Sequence, residues 1–150
     1  MGGKILFFST FLKNPKQIGS GVPSSKFLIR ELMKNIDFEN AKYIVEYGPG
    51  TGCITKELLK RAREDAKILC FEVNKGFCNY LRENIRDKRL IVINDSAENI
   101  KKCLNLYNVP NIDYAISGLP FSALPDTIKC LIIEQTRDSL SNDGKFVVYQ

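Results

Sequence analysis

The stretch Ile44-Val45-Glu46-Tyr47-Gly48-Pro49-Gly50-Thr51-Gly52 decides the fold, because a short apolar run leads into three alternate glycines and a helical pattern follows. Glycine accepts positive φ and lets the backbone approach a ligand, and an apolar run of this kind is typical of a buried parallel strand. A second apolar run ends at Glu72, about 20 residues further on, where nucleotide-binding folds place an acid that accepts from ribose hydroxyls. The sequence therefore predicts a strand, a ligand-binding turn and a helix.

The spacing of the glycines narrows the ligand. A dinucleotide-binding turn, G-x-G-x-x-G, would need glycine at Cys53, whereas the third glycine comes one residue early, at Gly52. No G-x-x-x-x-G-K-[ST] run occurs in the sequence, so a P-loop is excluded. Glu46 precedes the first glycine by two residues and completes the pattern E-x-G-x-G-x-G. Amides at the helix start suit a ligand carboxylate, and Glu46 suits an ammonium group. The alternative is a glycine-rich turn that only connects two elements.

Strand and helix patterns alternate along most of the chain. Five β/α alternations predict an α/β fold, a doubly wound, mostly parallel sheet with helices on both faces. The chain ends in or just after the fifth predicted strand, so the sheet is expected to lack C-terminal edge strands. The predicted strands are 43–47, 67–72, 90–94, 113–117 and 145–149, and the predicted helices are 24–33, 54–62, 77–85, 100–106 and 128–135.

In a parallel α/β sheet, ligands bind beyond the carboxyl ends of the strands, so the loop after each strand supplies candidates. Asp95 has two interpretations, a ligand contact or the N-cap of the helix that follows. Tyr47, Ser117 and Gly118 are candidates for a catalytic role. The predicted ligand-binding residues are Glu46, Gly48, Pro49, Gly50, Thr51, Gly52, Glu72, Val73, Asn74, Asp95, Ser96, Ala97, Ser117, Gly118 and Leu119.

Composition excludes several classes of protein. With 44% hydrophobic and 26% charged residues the chain has the composition of a globular domain, and no apolar run approaches the roughly 18 residues of a membrane span. The absence of histidine removes the usual general base and the common histidine-based metal sites. The five cysteines show no C-x-x-C spacing, which favours a reducing cytoplasm with no disulfide and no metal.

The net charge of +5 lies at the N-terminus. Residues 1–30 contain five basic residues and no acid, so the remaining 17 basic and 17 acidic residues cancel. We interpret residues 1–23 as a basic amphipathic segment and residues 24–150 as the ligand-binding domain. A basic amphipathic helix binds anionic membranes or, less often, a phosphate backbone, and the alternative is a helix packed on the core. The candidate membrane-binding residues are Lys4, Phe7, Phe8, Phe11, Leu12, Lys13 and Lys16.

The pattern from Glu46 to Gly52 resembles motif I of the class I S-adenosylmethionine-dependent methyltransferases. That resemblance implies S-adenosylmethionine as the cofactor, and it implies that Asp95 accepts from the exocyclic amine of adenine. Together with Val22-Pro23-Ser24-Ser25-Lys26-Phe27-Leu28 and Ser117-Gly118-Leu119-Pro120-Phe121, the motif resembles bacterial phospholipid N-methyltransferases, which are similar in fold to rRNA adenine dimethyltransferases. This implies a cytoplasmic enzyme, peripheral to the inner face of the membrane, that acts on phosphatidylethanolamine or its methylated derivatives.

The loop after the fourth predicted strand bears on the methyl acceptor. Methyltransferases acting on amines conjugated to a ring typically carry Asn or Asp where this chain has Gly118, followed by the Leu119-Pro120-Phe121 type of sequence. Without that acceptor side chain, a tetrahedral lipid amine is favoured over a nucleic-acid base. The alternatives are an rRNA adenine N-methyltransferase with RNA as partner, a small-molecule methyltransferase, and an inactive ligand-binding fragment.

Overall fold

A computed structural model of the protein describes residues 4–8 and 23–149. Six strands form one sheet in the order β1-β6-β5-β2-β3-β4, and every neighbouring pair is parallel. The doubly wound α/β fold is thus confirmed. The strands are β1 (Lys4–Phe8), β2 (Tyr43–Tyr47), β3 (Lys67–Phe71), β4 (Leu90–Ile93), β5 (Ile112–Ser117) and β6 (Leu140–Tyr149), and the α-helices are α1 (Pro23–Met33), α2 (Cys53–Arg61), α3 (Lys75–Asn84), α4 (Ile100–Leu106) and α5 (Asp126–Ser139).

The direction of the strand order reverses at β2. The chain runs outward from β2 through β3 to β4 on one side, and from β5 to β6 on the other. A reversal of this kind leaves a crevice at the carboxyl ends of the two strands that flank it. The glycine turn follows β2 and the segment 118–121 follows β5, so both open into that crevice.

Alternation along β2 divides its side chains between two cores. Val45 and Tyr47 join the buried cluster that includes Ile100 of α4 and Ile132 of α5. Ile44 belongs to the opposite cluster, which includes residues of α1 and α2. Successive strand residues point to opposite faces, so Glu46 lies on the α1/α2 side and Tyr47 on the α4/α5 side.

The N-terminal segment differs from the prediction. Lys4–Phe8 forms a β-strand parallel to β6, with Lys4 opposite Lys145 and Phe8 opposite Tyr149, so the predicted helix is wrong for these residues. A short run of isoleucine, leucine and phenylalanine is compatible with a helix or a strand. Here the run forms a strand because it pairs with the edge of β6. The sheet therefore extends into the segment that the sequence set apart. Phe11, Leu12, Lys13 and Lys16 lie outside the described residues.

Strand β6 is longer than predicted. Asn142-Asp143-Gly144, a sequence typical of a turn, precedes the predicted strand 145–149 but lies inside β6. The register against β5 moves from Ile112 opposite Leu140 to Tyr114 opposite Lys145, so the extra residues form a bulge. Turn-forming residues are therefore accommodated without ending the strand.

Among the described helices, none is long and apolar enough to cross a membrane.

The three glycines of the turn all have positive φ, 69° at Gly48, 54° at Gly50 and 81° at Gly52. Their surroundings differ. A Cβ on Gly52 would lie 2.7 Å from Cδ2 of Leu81 and 2.9 Å from Cδ1 of Ile85, so α3 packs directly on this residue. A Cβ on Gly50 would meet nothing within 4 Å. The turn is thus packed on one side and open on the other.

This difference predicts unequal costs of two alanine substitutions. Gly50→Ala is expected to lower the free energy of unfolding by about 1 kcal/mol, the strain of a left-handed residue. Gly52→Ala adds a steric collision to that strain and is expected to cost about 1 to 3 kcal/mol more. Urea unfolding of the two variants measures both values, and equal losses would contradict the packing of α3 against Gly52.

Candidate active site

Glu46 is an almost completely buried carboxylic acid beside the glycine turn, with an exposed fraction of 1%. Its Oε2 accepts hydrogen bonds from Thr55 Oγ1 at 2.6 Å and from the Cys70 thiol at 3.5 Å. Its Oε1 has no hydrogen-bond partner among the described residues. Burial, opposed by these two hydrogen bonds and assisted by the charge of Glu72, raises the pKa of Glu46 to about 7. A buried, unpartnered carboxylate oxygen favours a cationic donor.

Glu72, at the end of β3, organises the loops on either side of it. Its Oε1 accepts from the amide of Asn74 at 2.9 Å and its Oε2 accepts from the amide of Gly50 at 3.3 Å. The glycine turn and the loop after β3 are therefore tied together through one side chain. A carboxylate offers about four lone-pair sites, so Glu72 retains capacity for hydroxyl donors.

Asn94 holds two of the loops together, a role that sequence analysis missed. Its side-chain amide donates to the carbonyl of Glu72 at 2.8 Å and to that of Val73 at 3.1 Å. The position was predicted only as the end of a strand, and nothing in its neighbours indicates a contact with β3. The side chain of Asn74 caps α3, because its Oδ1 accepts from the amides of Gly76 and Phe77, so its predicted contact with ligand concerns the backbone.

Asp95 lies half-buried after β4, and most of its capacity is used locally. Its Oδ1 accepts from the amide of Ser96 at 2.7 Å and from Asn99 Nδ2 at 2.8 Å, while Oδ2, within the described part of the chain, accepts only from the Cys103 thiol at 3.8 Å. The hydrogen bond from Asn99, followed by that from Ser96, lowers the pKa of Asp95. The N-cap of the following helical turn is Ser96, so the interpretation of Asp95 as that cap is wrong. Of the two carboxylate oxygens of Asp95, Oδ2 is the better placed to accept a hydrogen bond from a ligand, because Oδ1 already accepts two short ones.

The loop after β5 forms the other wall of the crevice. The amide of Gly118 donates to the carbonyl of Tyr47 at 3.1 Å, and the amide of Leu119 donates to Ser117 Oγ at 3.2 Å. Ser117 is completely buried. The side chain of Leu119 covers Gly48, where a Cβ would lie 3.1 Å from its Cδ2.

The remaining predicted ligand-binding residues differ in exposure. Val73, directly after Glu72, is exposed, with an exposed fraction of 71%. The side chain of Ala97 belongs to the α4/α5 core, so only its backbone faces the loop. Thr51 is exposed, Ser96 is half-buried and Pro49 is buried.

Tyr47 does not occupy the position that a catalytic role would require. It is completely buried on the α4/α5 face, its hydroxyl hydrogen-bonds to Thr136 Oγ1 at 2.8 Å, and its ring makes edge contacts with Phe71 and Phe146. Burial raises the pKa of the Tyr47 hydroxyl above its ordinary range. Strand alternation is the reason, since the neighbouring Glu46 takes the opposite face. The prediction of Tyr47 as a catalytic candidate is therefore withdrawn.

The sheet order, the glycine turn and the acid after β3 define the class as the S-adenosylmethionine-dependent methyltransferases. A sequence model of the ribosomal RNA adenine dimethylase family matches residues 8–145, and the chain belongs to this family. Similar solved structures include an rRNA methylase from Streptococcus thermophilus (TM-score 0.59, 20% identity, covering 81% of this chain and 69% of that one). A mycolic acid cyclopropane synthase in complex with SAH and CTAB is also similar (TM-score 0.67, 13% identity, covering 83% and 41%). At these identities the likeness concerns the fold.

Two curated relatives point to different acceptors. The ornithine lipid N-methyltransferase of Singulisphaera acidiphila is 30% identical over 142 residues, which covers 94% of this chain and 74% of that protein. Ribosomal RNA small subunit methyltransferase A of Mycoplasmopsis synoviae is 33% identical over 110 residues, covering 69% of this chain but only 40% of that protein. The chain thus spans most of the lipid methyltransferase and less than half of the RNA methyltransferase.

Tyr47→Phe tests the structural role of the Tyr47 hydroxyl. Removing it leaves the buried hydroxyl of Thr136 without a partner, which is expected to cost about 1 to 3 kcal/mol of unfolding free energy. Replacing Thr136 by valine in the same variant removes both polar groups, and most of that loss should disappear. Urea unfolding gives the two values, and kcat should stay at the wild-type level. A large loss of kcat at unchanged stability would restore the catalytic role.

The raised pKa of Glu46 predicts how stability depends on pH. Between pH 4.5 and about 7 the folded protein holds a proton that the unfolded chain has lost, so stability falls as pH rises. From pH 5 to pH 8 this amounts to about 2 to 3 kcal/mol, and Glu46→Gln should remove it. Glu64→Gln, on an exposed residue, is the matched control. Parallel stability curves for wild type and Glu46→Gln would contradict the burial of an uncompensated carboxylate.

Proposed function

We propose that the protein binds S-adenosylmethionine across the carboxyl ends of β2, β3 and β4 and methylates the amine of a phospholipid, phosphatidylethanolamine or its methylated derivatives. The observation that carries the choice of acceptor is the loop after β5. It contains no side-chain amide or carboxylate that could hold a planar amine, because glycine stands at position 118.

The residues of the crevice suit the chemical groups of S-adenosylmethionine. Glu46 Oε1 is a buried acceptor without a partner and would receive the ammonium group. The open side of Gly50 leaves room for a ligand against the backbone. Glu72 would accept from the ribose hydroxyls, and Asp95 Oδ2 from the adenine amine. Backbone at 48–52, 73–74, 96–97 and 117–119 would complete the contact surface.

Methyl transfer from S-adenosylmethionine to a neutral amine needs no side chain that acts as an acid or a base in the transfer step. When bound, S-adenosylmethionine supplies an electrophilic methyl group on a sulfonium that leaves as a neutral thioether. The protein has to orient a neutral amine in line with that methyl carbon and exclude water, effects that lower a barrier by several kcal/mol. The carbonyls of Ser117 and Gly118 would accept from the amine. A lipid ammonium first loses its proton; the chain has no histidine to accept it, so we assign this proton to water at the membrane surface.

The charge distribution supports a membrane surface as the place of reaction. The first 30 residues carry all the excess positive charge, and each basic residue near an anionic surface contributes about 1 kcal/mol of attraction. The candidate residues combine lysines with phenylalanines and a leucine, which suits binding at the interface. We therefore propose peripheral attachment of a cytoplasmic enzyme to the inner face of the membrane through this segment.

The second candidate is methylation of adenine in RNA. The family match and the Mycoplasmopsis relative favour it, and the basic segment would then contact the phosphate backbone. Gly118 stands against it, since the planar amine of adenine would lack a side-chain acceptor in the loop after β5.

Radiolabelled methyl transfer offered side by side to vesicles and to RNA tests the proposal. Vesicles of phosphatidylethanolamine with an anionic phospholipid are expected to be labelled, and total RNA is not, because the loop after β5 has no clamp for a planar amine. Label in RNA alone would establish the second candidate. Calorimetry measures binding of S-adenosylmethionine separately. If the protein binds S-adenosylmethionine but methylates neither vesicles, RNA nor small-molecule amines, it is an inactive ligand-binding fragment.

Reversing the charge of the basic segment tests membrane attachment without removing β1. The double substitution Lys13→Glu and Lys16→Glu should weaken sedimentation with anionic vesicles by about 10-fold or more, since two charges change sign and the net charge falls by about four units. The control pair Lys34→Glu and Lys88→Glu makes the same change at exposed positions elsewhere. Equal losses for both pairs would show that net charge, and not this segment, controls binding.

A further inference from the structure

Tyr149, the last residue of β6, lies across Gly118 at the rim of the crevice. The register places Ser117 opposite Val148, so Gly118 and Tyr149 are the next residues along each strand. A Cβ on Gly118 would lie 2.7 Å from Cζ of Tyr149 and closer still to its hydroxyl oxygen. The phenol end of the ring therefore occupies the position where a side chain at residue 118 would begin. Glycine at 118 and tyrosine at 149 are sterically matched.

The ring of Tyr149 is on the same face of the sheet as Glu46. It packs against the cluster that includes Val147 and the buried residues of α1 and α2. Glu46 reaches the same side, because it accepts from Thr55 of α2. Burial, with the nearby charges of Glu46 and Cys53, raises the pKa of the Tyr149 hydroxyl above its ordinary range. The phenol therefore keeps its proton and acts as a neutral hydrogen-bonding group, not as a base.

The Tyr149 hydroxyl makes no hydrogen bond to another residue within residues 4–8 and 23–149, and Tyr149 is half-buried. Its oxygen is not among the buried atoms without a partner, so it is open to a donor that enters the crevice. The side chains of the adjacent loop cannot replace it at the crevice. Ser117 is completely buried and its Oγ accepts from the amide of Leu119, while residues 119–121 are leucine, proline and phenylalanine. The wall formed by β5 thus lacks a free side-chain acceptor of its own.

The geometry points to Tyr149 as the residue that binds the nitrogen of the methyl acceptor, its hydroxyl lying over Gly118 in place of a side chain from the loop after β5. This inference rests on the proposed function and adds the residue that selects the acceptor. The hydroxyl oxygen accepts one N–H of the neutral primary amine of phosphatidylethanolamine, and a backbone carbonyl of the loop accepts the other; a monomethylated amine keeps one N–H for the hydroxyl. The nitrogen lone pair is then free to point at the methyl group.

This arrangement suits a tetrahedral amine better than a planar one. The Tyr149 hydroxyl oxygen can accept one N–H of the amine and thereby fixes the direction of that bond. The other substituents of a tetrahedral nitrogen can still rotate about it. An amine conjugated to a ring has its lone pair delocalised and needs acceptors in its own plane. Gly118 offers no side-chain acceptor, and Tyr149 offers one acceptor directed across the loop. This geometry favours a tetrahedral alkyl amine over a planar amine.

Tyr149→Phe removes the hydroxyl and keeps the ring that packs on Gly118. The catalytic efficiency kcat/KM for the acceptor is expected to fall about 10- to 100-fold, the effect of losing one orienting contact. The Kd of S-adenosylmethionine, measured by calorimetry, should stay within about 2-fold of wild type. Tyr107→Phe, at an exposed residue beyond α4, is the matched control and should leave both quantities unchanged.

Three outcomes would overturn the inference. Wild-type acceptor kinetics in Tyr149→Phe would show that the hydroxyl does not touch the amine. An equal loss in affinity for S-adenosylmethionine would place the hydroxyl on the cofactor instead. Urea unfolding of Tyr149→Phe is expected to match wild type within about 1 kcal/mol, because the unpartnered hydroxyl contributes no internal hydrogen bond. A larger loss would assign the residue a purely structural role.

The same assay separates this inference from the proposed function. Wild-type protein is first offered vesicles of phosphatidylethanolamine and total RNA, and the variant is compared on whichever acceptor is labelled. Label in RNA alone overturns the lipid proposal, and an undiminished rate of Tyr149→Phe on RNA overturns the role of Tyr149 as well. Label in lipid with an undiminished variant overturns only the role of Tyr149. A wild type that labels neither acceptor overturns both.

Discussion

The parallel pairing of β2 with β3 on one side and β5 on the other is the constraint on which the site depends. Because β2 is hydrogen-bonded along both edges, its carboxyl end is held in a fixed position relative to β3 and β5. The amides of Gly48 and Gly118 prolong this pairing beyond the strands, by donating to Phe71 and Tyr47. The glycine turn, the acid after β3 and the loop after β5 are thereby fixed at one level. Everything the crevice can bind follows from that alignment.

Much of this arrangement can be predicted from the sequence, because the signals are local. Three alternate glycines between an apolar run and a helix leave few other conformations, and an acid after the next strand follows from the same fold. The strands around Glu46 and Glu72 are therefore predicted almost to the residue. The short apolar run Lys4–Phe8 is different, because its length and composition suit either a helix or a strand. Only the free edge of β6, a distant part of the chain, decides between them.

The misassigned and missed residues have a common cause. Tyr47 is adjacent in sequence to Glu46, but the alternation of a strand sends the two side chains to opposite faces. Asn94 and Tyr149 gain their roles from neighbours that are distant in sequence. For Asn94 these are the carbonyls of the loop after β3, and for Tyr149 the neighbour is Gly118. A pattern along the chain carries no information about such pairs. The candidate site could thus be located from the sequence, while the partners that complete it required the sheet.

The position of β1 has a consequence for how such an enzyme would meet its substrate. All six strands point the same way, and Phe8 lies level with Tyr149, so the chain leaves β1 at the edge where the crevice opens. A basic segment that leaves from that edge and rests on a bilayer would keep the mouth of the crevice facing the headgroups. Enzyme and acceptor would then diffuse in two dimensions, and a lipid amine would reach the methyl group without its acyl chains leaving the bilayer.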